Sequence, residues 1–246
     1  MATGKRMLFS VIALTAFIVQ AHAHERMTDV VYNEHPLEML EWCKNAEAMR
    51  NPEPGCFRNL PPEARDPTKI GHIAHGVPYD SHFILNGSTF SLHLVGRQRR
   101  PKKLELMKFA VLRNGREVYR FKTEQMAAVS DEIKAFFAQD SSWVLETAYE
   151  VIKDGKNLGT QLGHEKIFNY HLMAGRPAYF AIDKGKITLI IDGKPIGSQF
   201  DGVVHYACCG PYMCNPKYFP DGITFYGRRE EQWYFGKVQV QGNREP

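Results

Sequence analysis

This 246-residue chain is most informative first for what it lacks. There is no Gly-x-x-x-x-Gly-Lys phosphate loop, no Gly-x-Gly-x-x-Gly turn and no Gly-x-Ser-x-Gly elbow. The backbone cradles for phosphates and dinucleotides, and the exposed serine of α/β-hydrolases, are therefore excluded. No His-Glu-x-x-His or Cys-x-x-Cys spacing occurs, which removes the helical zinc-protease arrangement and the thioredoxin-type redox pair. A surplus of one charge is also missing. The formal net charge is +4, halved if Lys5 and Arg6 are lost with a leader, and so slight a balance argues against nucleic acid as a partner. No apolar run approaches the about 20 residues that a spanning helix needs, so no stable membrane insertion is predicted.

What is present begins with a leader. Lys5 and Arg6 precede an apolar stretch from Met7 to Val19 and the small-x-small site Ala21-His22-Ala23. This order predicts a signal peptide over 1–23, cleaved after Ala23, and a periplasmic or secreted protein. Five cysteines suit an oxidising compartment. Cys43 and Cys56 flank the bend Asn51-Pro52-Glu53-Pro54-Gly55 and are predicted to bridge; Cys209 and Cys214, on either side of Gly210-Pro211, form the second expected pair. Cys208 is then left over.

The remainder is written in the language of β-hairpins. Phe83-Ile84-Leu85 and Thr89 to Leu94 meet across Asn86-Gly87, and Tyr179 to Ile182 meets Ile187 to Ile191 across Asp183-Lys184-Gly185. These are short β-rich runs joined by residues that tolerate positive φ. Asn114-Gly115-Arg116, Asp154-Gly155-Lys156, Asp192-Gly193-Lys194 and the looser Phe235-Gly236-Lys237 recur about 40 residues apart. Such a period fits a β-repeat of blade size. The run Phe219-Pro220-Asp221-Gly222-Ile223-Thr224-Phe225-Tyr226 resembles the Phe-Ser-Pro-Asp-Gly signature of WD40-like repeats of the TolB type. Ile191 to Lys194 with Gln199-Phe200-Asp201-Gly202-Val203 is similar to WG repeats, although no Trp-Gly pair occurs. The resemblance covers 149–240 and implies a mainly β fold of meander repeats, a partial or small propeller-like body.

Two segments are expected to be helical. Leu37, Leu40 and Cys43 recur three apart after Pro36, predicting a helix over Pro36–Arg50, and Met126, Val129, Ile133, Phe136 and Phe137 predict a packed amphipathic helix over Thr123–Gln139. Residues 32–59 resemble the small exclusion proteins of conjugative plasmids, without their lipid-anchor cysteine. Four prolines between Phe57 and Asp80 predict a surface loop. The chain thus divides into a leader (1–23), a disulfide-bridged helical and loop segment (24–80) and a β-rich repeat domain (81–246).

Candidate chemistry is sparse. Arg97, Arg99, Arg100, Lys102 and Lys103 form a basic loop suited to an anion. His205, Cys208, Cys209, Met213 and Cys214 offer imidazole, thiolate and thioether to a soft metal, although on a strand His205 and Cys209 would share one face and Cys208 the other. A structural disulfide is the commoner outcome for such a group. His72 and His75 are a weaker pair. The expected function is non-enzymatic binding or scaffolding in the envelope, without a cofactor. The expected partner is another envelope protein or an anionic envelope component. The alternatives are a metal or thiol-redox protein, and a hydrolase of envelope glycans acting through carboxylates that sequence does not reveal.

Overall fold

The computed structural model describes residues 30–45, 49–65, 81–99, 105–125, 133–148, 150–207 and 214–241. The leader, His72 and His75, Arg100, Lys102 and Lys103, and Cys208, Cys209 and Met213 lie outside these residues.

The protein is mainly β. The chain enters through strand β1 (Val30–Leu37), a stapled segment ending in the short helix α1 (Pro62–Arg65), and then four antiparallel sheets in succession. The first holds β2 (His82–Leu85), β3 (Ser88–Gln98), β4 (Glu105–Arg113) and β5 (Arg116–Gln125); the second holds β6 (Ile133–Gln139), β7 (Ser142–Thr147), β8 (Val151–Lys153) and β9 (Lys156–Asn157). Helix α2 (Leu158–Leu162), capped by the Asn157 side chain on the Thr160 N–H and by Gly163 at φ 81°, leads to the third. That sheet is β10 (Lys166–Met173), β11 (Arg176–Asp183), β12 (Lys186–Ile191) and β13 (Lys194–Phe200). The fourth contains β14 (Gly202–Val203) and β15 (Lys217–Phe219), both paired with β16 (Gly222–Arg229), followed by β17 (Gln232–Val240). Its outermost strand is β1, antiparallel to β17 from Val30 opposite Val240 to Leu37 opposite Trp233.

Alternation along the strands builds a core between successive sheets. Phe90, Leu92 and Phe109 meet Trp143 and Leu145 between sheets one and two. Val144 and Val151 meet Tyr170 and Tyr179 between two and three. Phe168, Phe180 and Leu189 meet Ile223, Phe225 and Val238 between three and four. The far side of sheet four is covered by Phe57, Leu60 and Ala64 of the stapled segment, which pack on Tyr226, Trp233 and Phe235. A loop over 57–80 was expected here, and its described part is a cap with three buried apolar side chains.

The repeated turn motif has a positional meaning. Asn114-Gly115, Asp154-Gly155 and Asp192-Gly193 each form the third hairpin of their sheet, with φ near 50° at the first residue and 73° to 79° at the glycine. Among the described residues sheet four has no third hairpin, because the strand beside β17 is β1, from the other end of the chain. Phe235-Gly236-Lys237 is accordingly no turn and lies inside β17. Gly236 is required there for a different reason: a Cβ would stand 2.4 Å from Cζ of Phe225.

Both expected helices are corrected. Pro36 and Leu37 continue β1, and among the described residues the helical part that follows is the 3-10 turn Glu41–Cys43. Ladder hydrogen bonds to β17 outweigh a three-residue spacing that spans barely two turns. In the second case Ile133–Gln139 is strand β6, paired with β7, while 126–132 lie outside the described residues. Its burial pattern does not alternate, which is why the apolar spacing imitates a helix. Among the described residues no helix is long and apolar enough to cross a membrane.

Cys43 and Cys56 are bridged, with 13 residues of separation. A loop of this length corresponds to about 3 kcal/mol in the chain-entropy account. Replacing both by serine is expected to lower the urea-unfolding free energy by roughly that amount. A loss below about 1 kcal/mol would show that the packing of Phe57 and Leu60 alone holds the cap.

Candidate functional site

Of the sequence-flagged residues, His205 leads to the most unusual chemistry in the molecule. Its ring stacks on Phe168 with centroids 3.9 Å apart and meets Tyr206 edge-on at 5.1 Å. Its Nδ1–H donates to the Val203 carbonyl at 2.7 Å, which fixes the tautomer and leaves Nε2 as the acceptor. Burial holds its pKa below the usual histidine value, so the imidazole is neutral at pH 7.

Beside it, sheets two, three and four converge on one residue, Asn169. Strand β10 bulges between Phe168 and His171, and Asn169 takes φ 51°, a conformation that asparagine tolerates better than most side chains. The bulge turns its N–H and its carbonyl away from the ladder, and three side chains take them up. Its N–H lies 2.5 Å from Oε1 of Glu146 on β7 and 3.1 Å from the Tyr206 hydroxyl, and its carbonyl accepts from the Tyr218 hydroxyl on β15. His171 lies against the Tyr218 ring at 4.5 Å. Lys134 on β6 sits over the Tyr206 ring at 5.2 Å.

Glu146 is the anomaly of this centre. It shares its strand face with Val144, pointing toward sheet three, and is 3% exposed. Burial raises its pKa to about 8, against the lowering effect of the Asn169 and Tyr170 N–H groups and the charge of Lys134. At neutral pH it is mostly a protonated carboxyl that still offers Oε1 to Asn169. Tyr218 is pushed well above its ordinary range by burial first and by Glu146 second. A buried carboxyl of shifted pKa among tyrosines and a neutral imidazole is a frequent functional constellation. Here, however, Glu146, Tyr206 and Tyr218 are each engaged with the backbone N–H or carbonyl of one residue, Asn169, and the Asn169 Oδ1 is buried without a hydrogen-bond partner among the described residues.

The remaining candidates separate. Cys214, expected to bridge Cys209, is a free thiol, fully buried on the other face of sheet four among Leu37, Tyr226 and Trp233. Burial raises its pKa, so it stays protonated and unreactive. Its neighbour Asn215 accepts from the N–H of Ala207 and donates to its carbonyl at 3.0 and 3.1 Å, which ties Ala207 to Asn215. His205 and Cys214, the two described members of the expected metal set, therefore belong to different clusters. Arg97 and Arg99 are exposed at the end of β3.

Sequence reasoning missed Glu146, Asn169 and Tyr218. A signal was there: Glu146 is the one acid in the apolar run Trp143-Val144-Leu145-Glu146. A lone acid in such a strand is either at an edge or buried with partners.

A scan against models of known protein families finds no match to this chain, and no curated protein matches it significantly.

Proposed function

We propose that this is an exported, non-enzymatic binding or scaffolding protein of the envelope, acting through the surface of a small, open, propeller-like stack of β-repeats. The observation that carries this reading is the use of the buried polar groups. Glu146, Tyr206 and Tyr218, which could act as acid and base, hold the backbone N–H and carbonyl of Asn169 at its bulge between three sheets instead of lining a described cleft. Such bracing makes a rigid platform, as does the pairing of β1 with β17. The leader read in 1–23 and the Cys43–Cys56 bridge support export to an oxidising compartment. The rival readings draw less support. A metal or thiol centre has its His205 and Cys214 in separate clusters. A retaining or inverting glycosidase needs two facing carboxyls, and the groups that act on Glu146 are backbone N–H groups and Lys134.

The surface that meets an anionic envelope component is the exposed end of β3 at Arg97 and Arg99, where Arg97 continues the strand opposite Met107 rather than opening a loop. Near an anionic surface each arginine contributes about 1 kcal/mol, so the Arg97→Ala/Arg99→Ala protein is expected to bind about 30-fold more weakly. The measurement is retention on purified lipopolysaccharide and on peptidoglycan sacculi at several salt concentrations, with the melting temperature as a control for folding. Salt-independent retention, or equal retention of the variant, would sink the anion-binding assignment.

A further inference from the structure

The dipeptide Asn-Gly occurs twice in the chain, at Asn86-Gly87 and Asn114-Gly115. Glycine has no side chain to shield its own peptide nitrogen, so that nitrogen can attack the side-chain amide of the residue before it. Both pairs are exposed two-residue hairpin turns, with φ 49° at each asparagine and 71° or 78° at the glycine. A Cβ added at either glycine would meet nothing within 4 Å. Dipeptide, turn and access are therefore matched, and the sites differ in what holds the asparagine.

Asn114 is clamped. Its N–H donates to the Thr89 carbonyl at 2.8 Å, its Oδ1 accepts from the Thr89 N–H at 2.8 Å, and its Nδ2 lies 3.5 Å from the Ser88 hydroxyl. The clamp recurs at the third hairpin of sheet two, where Asp154 holds Trp143 in the same two ways at 3.1 and 3.0 Å. In sheet three the Asp192 N–H donates to the Pro177 carbonyl at 2.8 Å, and proline has no N–H to give in return. Thr89, Trp143 and Pro177 are each the second residue of the second strand of their sheet, so the clamp belongs to the repeat. Asn86 lies in a first hairpin instead, and its side chain makes no hydrogen bond among the described residues.

We infer that Asn86 is a site of spontaneous deamidation in the folded protein, and that the clamp protects Asn114 from the same reaction. At Asn86 the Gly87 nitrogen bonds to Cγ, its proton departs with the side-chain nitrogen as ammonia, and a succinimide ring is left. Water then opens the ring. Addition at Cγ gives aspartate; addition at the former backbone carbonyl gives isoaspartate, whose main chain runs through the side-chain carbon. The sum is an amide plus water giving an acid plus ammonia, with no oxidant or reductant. At Asn114 the attack requires Oδ1 to leave the Thr89 N–H, a donor then without its partner.

The product matters for sheet one because isoaspartate lengthens the turn by one backbone atom. Strand β2 depends on that turn. Its four residues pair from His82 opposite Ser91 to Leu85 opposite Ser88, and Phe83 lies against Phe90 and Phe136 at 5.7 and 4.8 Å. Conversion at Asn86 thus shifts β2 against β3 and places a new negative charge beside it.

The test follows the intact disulfide-bonded protein through weeks at pH 7.4 and 37 °C, folded or in concentrated urea. Peptides carrying Asn86 and Asn114 are compared by mass spectrometry, with fragmentation that separates isoaspartate from aspartate. In the folded protein Asn86 is expected to convert about tenfold faster than Asn114, the factor given by a hydrogen bond of about 1.4 kcal/mol. In urea the two should convert at similar rates. No product at Asn86, or equal conversion of the two in the folded protein, overturns the inference. So does a tenfold preference that persists in urea, since it would then come from the flanking residues rather than the clamp. The converted fraction should also exchange its β2 amides faster than fresh protein, with β4 unchanged; equal exchange in β2 would show that the turn does not set the strand.

Discussion

Raising the pH from 5 to 8.5 should destabilise this protein by several kcal/mol, and replacing Glu146 with glutamine should remove most of that dependence. The sign follows from proton linkage. In the unfolded chain the Glu146 carboxyl titrates at its ordinary value of 4.5, whereas in the fold burial raises its pKa to about 8. Between those values the folded state holds a proton that the unfolded state releases, so stability is fully present below the lower value and is lost as pH rises through the upper one. At 1.36 kcal/mol per unit the loss is on the order of 4 kcal/mol at most. His205 acts in the opposite sense at the acid end: its lowered pKa means that the unfolded chain gains a proton the fold refuses as pH falls below about 6.5. The interval from 6.5 to 8.5 therefore isolates Glu146 from it. Urea-unfolding free energies of wild type and Glu146→Gln at pH 5, 6.5, 7.5 and 8.5 make the comparison. Glutamine keeps an oxygen for the Asn169 N–H and cannot ionise, so the variant should be the more stable protein at pH 8.5. Parallel profiles for the two proteins would mean that Glu146 is ionised in the fold at neutral pH and that the centre is not a neutral brace.

The second large effect lies where β1 meets sheet three. Gly197, in the bulged part of β13, has φ +68°, and a Cβ there would stand 2.3 Å from Cε1 of Tyr32 on β1. Alanine at 197 combines left-handed backbone strain of about 1–2 kcal/mol with overpacking of similar size. Displacing the Tyr32 ring also disturbs its hydrogen bond to Glu34, 2.6 Å long, and the Glu34 to Arg229 ion pair at 2.5 Å, the guanidinium of which lies over Tyr234 at 4.3 Å. Gly197→Ala is expected to cost about 3 kcal/mol in all. In a Tyr32→Ala background the same substitution should cost only the backbone part, about 1–2 kcal/mol. Additive single substitutions would show that the ring moves aside freely and that β1 is not anchored through this contact.

Hairpins were the most legible part of the molecule. Asn86-Gly87, Asn114-Gly115, Asp154-Gly155 and Asp192-Gly193 have residues suited to positive φ at neighbouring positions, and their flanking runs are β-rich. Both conditions are local, and all four became hairpins. The period of about 40 residues was legible for the same reason. It failed at Phe235-Gly236-Lys237 because that glycine answers to the Phe225 ring across the sheet rather than to a turn. The Cys43–Cys56 bridge was readable because a short proline-rich bend joins its ends. The free thiol at Cys214 was not, since it depends on the packing of Tyr226 and Trp233 and on the clamp between Asn215 and Ala207.

Taken alone, the amino-acid order determined where the hairpins turn and that the chain is mainly β. Those properties depend on residues within a few positions of one another, through φ preferences and alternation. Tertiary structure decided that β1 is the last strand of the last sheet, that Glu146 is buried against a bulge on the next sheet, and that Phe57, Leu60 and Ala64 cap the far side of sheet four. Each of these depends on groups brought together from distant parts of the chain, as the Glu34 to Arg229 pair is across 195 residues. A side chain's pKa, its exposure and its partners are set by what folds onto it, and no local rule contains that information.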